Sequence, residues 1–154
     1  MLPIQKLIVT TDFSDPARKG ILAANELAVH FGADLFIVHV IPPSHFVPPA
    51  GIGGFDISKL TEEIQAAAKK SLDRIIQKDI SDEVNVRGLM LMGPPAEEIV
   101  KRASEENADA IVISTHGLTG WRRFIFGSVS EKVVRLAECP VITIPAGEED
   151  RKEE

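Results

Sequence analysis

The sequence is poor in cysteine, in positive charge and in long apolar runs, and each shortage removes a class of protein. Cys139 is the single cysteine among 154 residues, so no disulfide can close within the chain and no zinc site can be built on several thiolates. A reducing cytoplasm is the expected setting. Lys and Arg number 17 against 23 Asp and Glu, a formal net charge of -6, whereas a general nucleic-acid binder needs clustered cations to neutralise phosphates. A bound nucleotide escapes that objection, because local backbone donors can hold its phosphates on an acidic protein. No segment is long enough in apolar residues to span a bilayer. The opening Met1-Leu2-Pro3-Ile4-Gln5-Lys6 leads into a strand-like run without the apolar stretch and cleavage site of a signal peptide. There is no internal repeat, no Walker P-loop with its lysine, and no obvious carboxylate pair for a metal, so fast phosphoryl transfer has no visible machinery.

What is present is an ordinary globular composition, 44% hydrophobic and 26% charged, at a length that suits one domain. That domain is expected to span 1–147, followed by a charged, solvated tail over 148–154. Five short apolar runs read as strands: Lys6 to Thr11, Asp34 to Ile41, Val84 to Met92, Ala110 to Ser114 and Val141 to Ile144. Most are continuously apolar, as strands covered on both faces of a parallel sheet are. The third is more mixed and is placed nearer an edge.

Helical spacing fills the gaps between them. Asp15-Pro16 reads as an N-cap followed by a proline at the first helical position; Ile21, Ala24, Ala28 and Phe31 then mark one face, and Gly32 the stop. A second helix runs from about Ile57 to Lys78 with Leu60, Ile64, Ala68, Leu72 and Ile75 on one face. A third runs from Pro95 to about Glu106. A fourth begins near Ser128, where Ser128 and Glu131 have capping-box spacing, and is expected to bury Val129, Val133 and Leu136. The alternation implies a doubly wound α/β domain: a five-stranded parallel sheet with helices on both faces, Rossmann-like. Such sheets bind ligands beyond the carboxyl ends of their strands, at the point where strand order reverses. The segment 42–56, rich in proline and glycine, reads as a long mobile loop, either a flap over a ligand or a solvated connection.

The run Ser114-Thr115-His116-Gly117, nine residues, then Gly127-Ser128 is the informative spacing. A helix start offers unpaired N–H groups and the positive end of a dipole. Gly127 lets a phosphate approach the main chain, and the Ser128 and Ser130 hydroxyls add hydrogen bonds. The same residues also suit a plain helix cap.

Resemblance over most of the chain bears on that choice. Leu7-Ile8-Val9-Thr10-Thr11-Asp12-Phe13-Ser14, Val38-His39-Val40, Gly93, the run from Ala108 to Gly117, Gly127-Ser128-Val129-Ser130-Glu131-Lys132-Val133-Val134 and Cys139-Pro140-Val141-Ile142-Thr143-Ile144 together resemble the universal stress proteins, in order and spacing, from about Gln5 to Pro145. The resemblance implies an adenine nucleotide alpha hydrolase-like fold and a site for ATP, or for AMP or ADP. On the ribose and base side it implies Thr10, Thr11, Asp12 and the main chain of Val40. On the phosphate side it implies Ile113, Ser114, Gly117, Gly127, Ser128, Val129 and Ser130, with Mg2+ or Mn2+ riding on the phosphates; His116, between the strand end and Gly117, reads either as a phosphate contact or acid–base group or as a structural residue. The ATP-binding subgroup carries glycine where this chain has Ser114, and a positive φ there would strain a serine. Thr10 stands where many relatives have proline. His39 reads as a core histidine, and His30 and His45 lack metal-ligand spacing. Trp121, Arg122 and Arg123 fit either a phosphate contact or a solvated loop.

The function these features imply is an adenine-nucleotide-binding regulatory protein of the stress response with little or no catalysis, meeting an unidentified regulatory partner. The alternatives are a slow ATP hydrolase or transferase, with Asp12 or His116 as base, and a dimeric interaction scaffold that has lost the nucleotide. The resemblance also implies a homodimer through Val141–Ile144, a sheet edge with exposed backbone groups.

Overall fold

All five apolar runs form strands of one parallel sheet, and the segments between them form helices. The computed structural model describes residues 3–43, 57–115 and 127–145. In chain order the elements are β1 (Lys6–Thr10), α1 (Asp15–Phe31), β2 (Asp34–Ile41), α2 (Ile57–Asp79), β3 (Val86–Met92), α3 (Pro95–Glu106), β4 (Ala110–Ser114), α4 (Ser128–Leu136) and β5 (Val141–Ile144). Segment 44–56, His116, Gly117, Trp121, Arg122, Arg123 and the tail 148–154 lie outside the described residues.

The sheet order is β3-β2-β1-β4-β5. The chain winds outward from β1 through β2 to β3, then returns to the other side of β1 for β4 and β5. Strand order therefore reverses between β1 and β4, which pair in register from Leu7↔Ala110 to Val9↔Val112. This is the crevice where doubly wound sheets place ligands. The mixed third strand lies at one edge, as its pattern suggests, and β5 lies at the other.

Alternate residues of the central strands feed two cores. Leu7, Val9, Leu35, Ile37, Ala110 and Val112 pack with Ile21, Ala24 and Ala28 of α1 and Leu72 of α2. On the opposite face Ile8, Phe36, Val38, Ile111 and Ile113 pack with Ala96, Ile99 and Ala103 of α3 and Val133 of α4. Each fully buried Leu or Ile contributes roughly 1.5–3 kcal/mol, so the sheet's centre is rigidly placed from both sides. Arg18 of α1 pairs with Asp79 at the end of α2 (2.7 Å), and its hydrogen bonds hold the Asp79 carboxyl below the usual carboxylate range.

Several local expectations shift. α1 is capped one residue earlier than the sequence suggests: the Ser14 side chain accepts from Ala17 N, and Asp15 and Pro16 are already helical. Gly32 ends the helix in the left-handed conformation (φ 64°) as expected. β1 stops at Thr10 and β3 begins at Val86. Phe31 and Leu136 are more than a third exposed and do not belong to the core. The Ser128–Glu131 capping box does not form: Gly127 is the N-cap of α4, with no side-chain cap hydrogen bond.

Candidate functional site

Above the β1–β4 crevice lies a cavity of about 570 Å³. One side is formed by the turn leaving β1. Asp12 Oδ1 accepts from Ser14 N at 3.0 Å and from the Ser14 hydroxyl, and Phe13 adopts φ 67°, a conformation rarely taken by a bulky residue and often kept where function requires it. Asp12 of this turn lines the cavity together with Thr10 and Thr11.

The other side is the join between β4 and α4. Gly127 N donates to Thr115 O at 2.6 Å, and a β-carbon on Gly127 would lie only 3.3 Å from that same oxygen. Glycine is thus favoured here by the close approach of two main chains, its own φ of -72° being ordinary. Glu131 N begins the helical ladder by donating to Gly127 O. The N–H groups of Ser128, Val129 and Ser130 precede that first rung, so they have no partner within the helix. The Ser130 hydroxyl shares its one hydrogen between Gly127 O (2.9 Å) and Thr115 O (3.2 Å), which leaves it an acceptor. The Ser128 side of the helix start is exposed. The helix dipole adds partial positive charge at the same spot.

The floor and remaining walls come from elsewhere. Val40 and Ile113 line the cavity from the sheet, Ile64, Ala67, Ala68 and Ser71 from α2, and Pro95 and Ile99 from α3. These helix residues carry no sequence signal of a site, because the spacing that buries a helix face against a sheet also turns it toward a cavity. His39 is half-buried and also lines the cavity; its Nδ1 lies 2.8 Å from Thr11 O and its ring packs on Phe13 with centroids 4.2 Å apart. It is satisfied, as a core histidine would be, yet it belongs to the cavity wall.

Of the residues singled out from sequence, Thr10, Thr11, Asp12, Val40, Ile113, Ser114, Gly127, Ser128, Val129 and Ser130 come together around this one cavity. His116 and Gly117 fall outside the described residues. Ser114 is a buried strand residue and is absent from the positive-φ residues, so serine costs no backbone strain at this position. Its β-carbon lies toward Gly20 of α1. Beside the site, Lys132 of α4 pairs with Glu97 of α3, holding the Glu97 carboxyl below its ordinary range. Among the described residues no three His, Cys, Asp or Glu side chains group as a metal site, and no helix is long and apolar enough to cross a membrane.

Comparison with known proteins gives a consistent answer. Universal stress protein MJ0531 of Methanocaldococcus jannaschii is 35% identical over 144 residues, covering 91% of this chain and 81% of its own length. The solved structure of universal stress protein UspA from Lactobacillus plantarum matches with a TM-score of 0.79 at 26% identity, over 92% of this chain and 97% of that one. A universal stress protein from Archaeoglobus fulgidus, solved in complex with dAMP, matches with a TM-score of 0.61 at 27% identity, over 94% of this chain and 99% of that one. The universal stress protein family profile itself matches residues 3–145, from before β1 to beyond β5, and the chain belongs to that family.

Proposed function

We propose that this protein binds an adenine nucleotide in the cavity above β1 and β4 and acts as a cytoplasmic regulatory protein of the stress response. The observation that carries the reading is the juxtaposition, around one cavity of about 570 Å³, of the Asp12 carboxylate with the start of α4, which has no side-chain cap. A carboxylate suits sugar hydroxyls. Successive N–H groups at a helix start suit phosphate oxygens. The aliphatic wall supplied by Val40, Ile64 and Ala68 suits the faces of a base. The dAMP held by the Archaeoglobus fulgidus relative supports an adenine nucleotide, and ATP, ADP and AMP are separated by measurement. A Mg2+ or Mn2+ ion would be carried by the phosphates.

Acid extraction of freshly purified protein followed by nucleotide chromatography, with calorimetry against ATP, ADP and AMP, tests the proposal. Saturable binding of at least one of them is expected, with Asp12→Ala weakening it about tenfold through loss of hydrogen bonds to the charged group. No extracted nucleotide and no heat of binding would overturn it. Steady-state turnover of ATP with metal present separates a binding protein from a slow hydrolase.

A homodimer completes the proposal. β5 lies at the sheet edge with each residue half-buried, and Val134 and Leu136 of neighbouring α4 are 46% and 42% exposed. An edge strand beside exposed apolar side chains invites a second copy. Sedimentation at micromolar concentration should show a dimer, and Thr143→Pro, which removes a donor from the edge, should shift it toward monomer.

A further inference from the structure

Met1, Met90, Met92 and Cys139 carry the sulfur of this chain, and Met1 lies outside the described residues. Met90 is half-buried and packs against the core on the α1 and α2 face of the sheet. Cys139 is half-buried as well, and burial pushes its thiol above the ordinary value, which keeps it in the slow-reacting protonated form. Met92 differs from both. It is the last residue of the edge strand β3, it is 48% exposed, and its Sδ lies 3.1 Å from Gln65 Nε2 of α2, close for an atom as large as sulfur. A thioether has no hydrogen to give, so the amide donates and one sulfur lone pair is engaged. Both partners stand beside the cavity. Ile64 and Ala68, which bracket Gln65 in α2, line it, and so does Ile41, the sheet neighbour of Met92. The contact therefore ties the wall that α2 supplies to the end of the sheet.

We propose that Met92 is a site of reversible oxidation to methionine sulfoxide and that Gln65 is the residue that holds the oxidised form. The inference goes beyond the nucleotide reading and does not depend on it, because it concerns the cavity wall whatever the cavity binds. The oxidant is a two-electron oxygen donor of the hydrogen peroxide class. The second lone pair of the sulfur attacks one peroxide oxygen, the O–O bond breaks, and the transferred hydroxyl gives its proton to the departing hydroxide, leaving water and an S=O group. Sulfur is oxidised and peroxide reduced by two electrons. A thiol-dependent sulfoxide reductase restores the thioether: two thiols become a disulfide and the oxygen leaves as water. Because the Gln65 amide covers one face of the sulfur, oxygen adds to the other, and one sulfoxide epimer dominates. A weak thioether acceptor thereby becomes a strong one, and rotation about Cγ–Sδ in the flexible side chain brings its oxygen to Gln65 Nε2. Oxidation of a buried methionine disrupts packing; here it tightens the hold of the sheet end on α2.

Limited exposure of the full-length protein to hydrogen peroxide, followed by peptide mass spectrometry, should show Met92 sulfoxide forming about tenfold faster than Met90 sulfoxide. Of the two epimer-selective reductases, one should repair about fourfold more of the Met92 sulfoxide than the other in the wild type, and the two should repair equal shares in Gln65→Ala. Hydrogen exchange over 60–68 of α2 should slow about fivefold when the wild type is oxidised, the worth of one added hydrogen bond. It should not slow in Gln65→Ala or in Met92→Leu, which keeps the volume and removes the sulfur. Preferential oxidation of Met90, an even mixture of epimers in the wild type, or α2 exchange that is unchanged or faster after oxidation would each overturn the inference. If Gln65→Ala fails to fold, the wild-type epimer ratio and the Met92→Leu exchange comparison decide. None of these readouts involves ATP, so their failure leaves the nucleotide reading standing, and an absence of ATP binding leaves this inference standing.

Discussion

At the amino end of the sheet, Asp109 Oδ2 accepts from Gln5 N at 2.8 Å and from Lys6 N at 2.9 Å, and Lys6 Nζ reaches Glu106 O at 3.0 Å. Asn85 Nδ2 meets Asp34 Oδ1 at 2.9 Å on the neighbouring strand. Polar groups at this end are consumed by one another and stitch strand starts together. At the carboxyl end, Asp12 is held through Oδ1 by Ser14 but lines a cavity, and α4 begins without a side-chain cap. The same chemistry, carboxylate and backbone N–H, is closed on itself at one end and turned outward at the other. One end therefore serves stability, and the other carries the cavity proposed to hold the nucleotide.

The largest test of that division is Gly127→Val. Its β-carbon would press on Thr115 O and the branched side chain would cover the start of α4, so ATP affinity should fall about 100-fold, the equivalent of two charge-assisted hydrogen bonds. A thermal melt run beside the calorimetry checks that folding is affected less than binding; the reverse order would break the comparison.

Asp109→Ala should do the opposite, lowering unfolding free energy by about 2 kcal/mol through two deprived N–H donors while leaving ATP affinity unchanged. Those backbone hydrogen bonds hold the Asp109 carboxyl below its usual range. A group with a depressed folded-state value stabilises the protein above its unfolded value, and the contribution is lost as pH falls through the folded one. The difference in melting temperature between wild type and Asp109→Ala should therefore be full near neutrality and shrink in acid below the ordinary carboxylate range. A gap that stays constant into strong acid would assign the loss to packing.

The smallest effect sharpens the comparison at the back of the site. A β-carbon on Gly20 would meet Ser114 N at 3.6 Å and Ser114 Cβ at 3.9 Å, ordinary contacts. Gly20→Ala should thus raise stability by about 0.5–1 kcal/mol in urea titrations, with no change in ATP binding. A loss of stability would mean that serine at 114 already fills the space behind the cavity.

Much of this was legible in the order of apolar runs. Continuous stretches such as Ile111-Val112-Ile113 marked buried parallel strands, and the alternation with helices located the reversal between β1 and β4. The reversal directed attention to the strand ends, and Asp12 and Gly127 could be named there because the residues around them resemble the universal stress protein pattern. The cavity wall from α2 was not legible, since Ala67 and Ser71 obey the same helical period whether they face core or ligand. Nor were the caps: Ser14 and Asp15 are both good N-cap residues, and only the bond from Ala17 N chooses between them. The place of His39 in the cavity wall was hidden because a strand histidine satisfied by a carbonyl looks, in sequence, like any core residue.

The strand order has a consequence for how the protein is made. β1 is synthesised early, yet one of its two neighbours is β4, and the contact between Gln5 and Asp109 spans 104 positions. A growing chain can pair β1 with β2, and β2 with β3, soon after they emerge, but β1 keeps an open edge until β4 arrives, and such late, long-range pairing is intrinsically slow. Asp12 and the start of α4 meet only after that step. A ligand of the cavity would therefore find a complete site only on a chain whose translation has passed α4, which ties the proposed binding to the last step of folding.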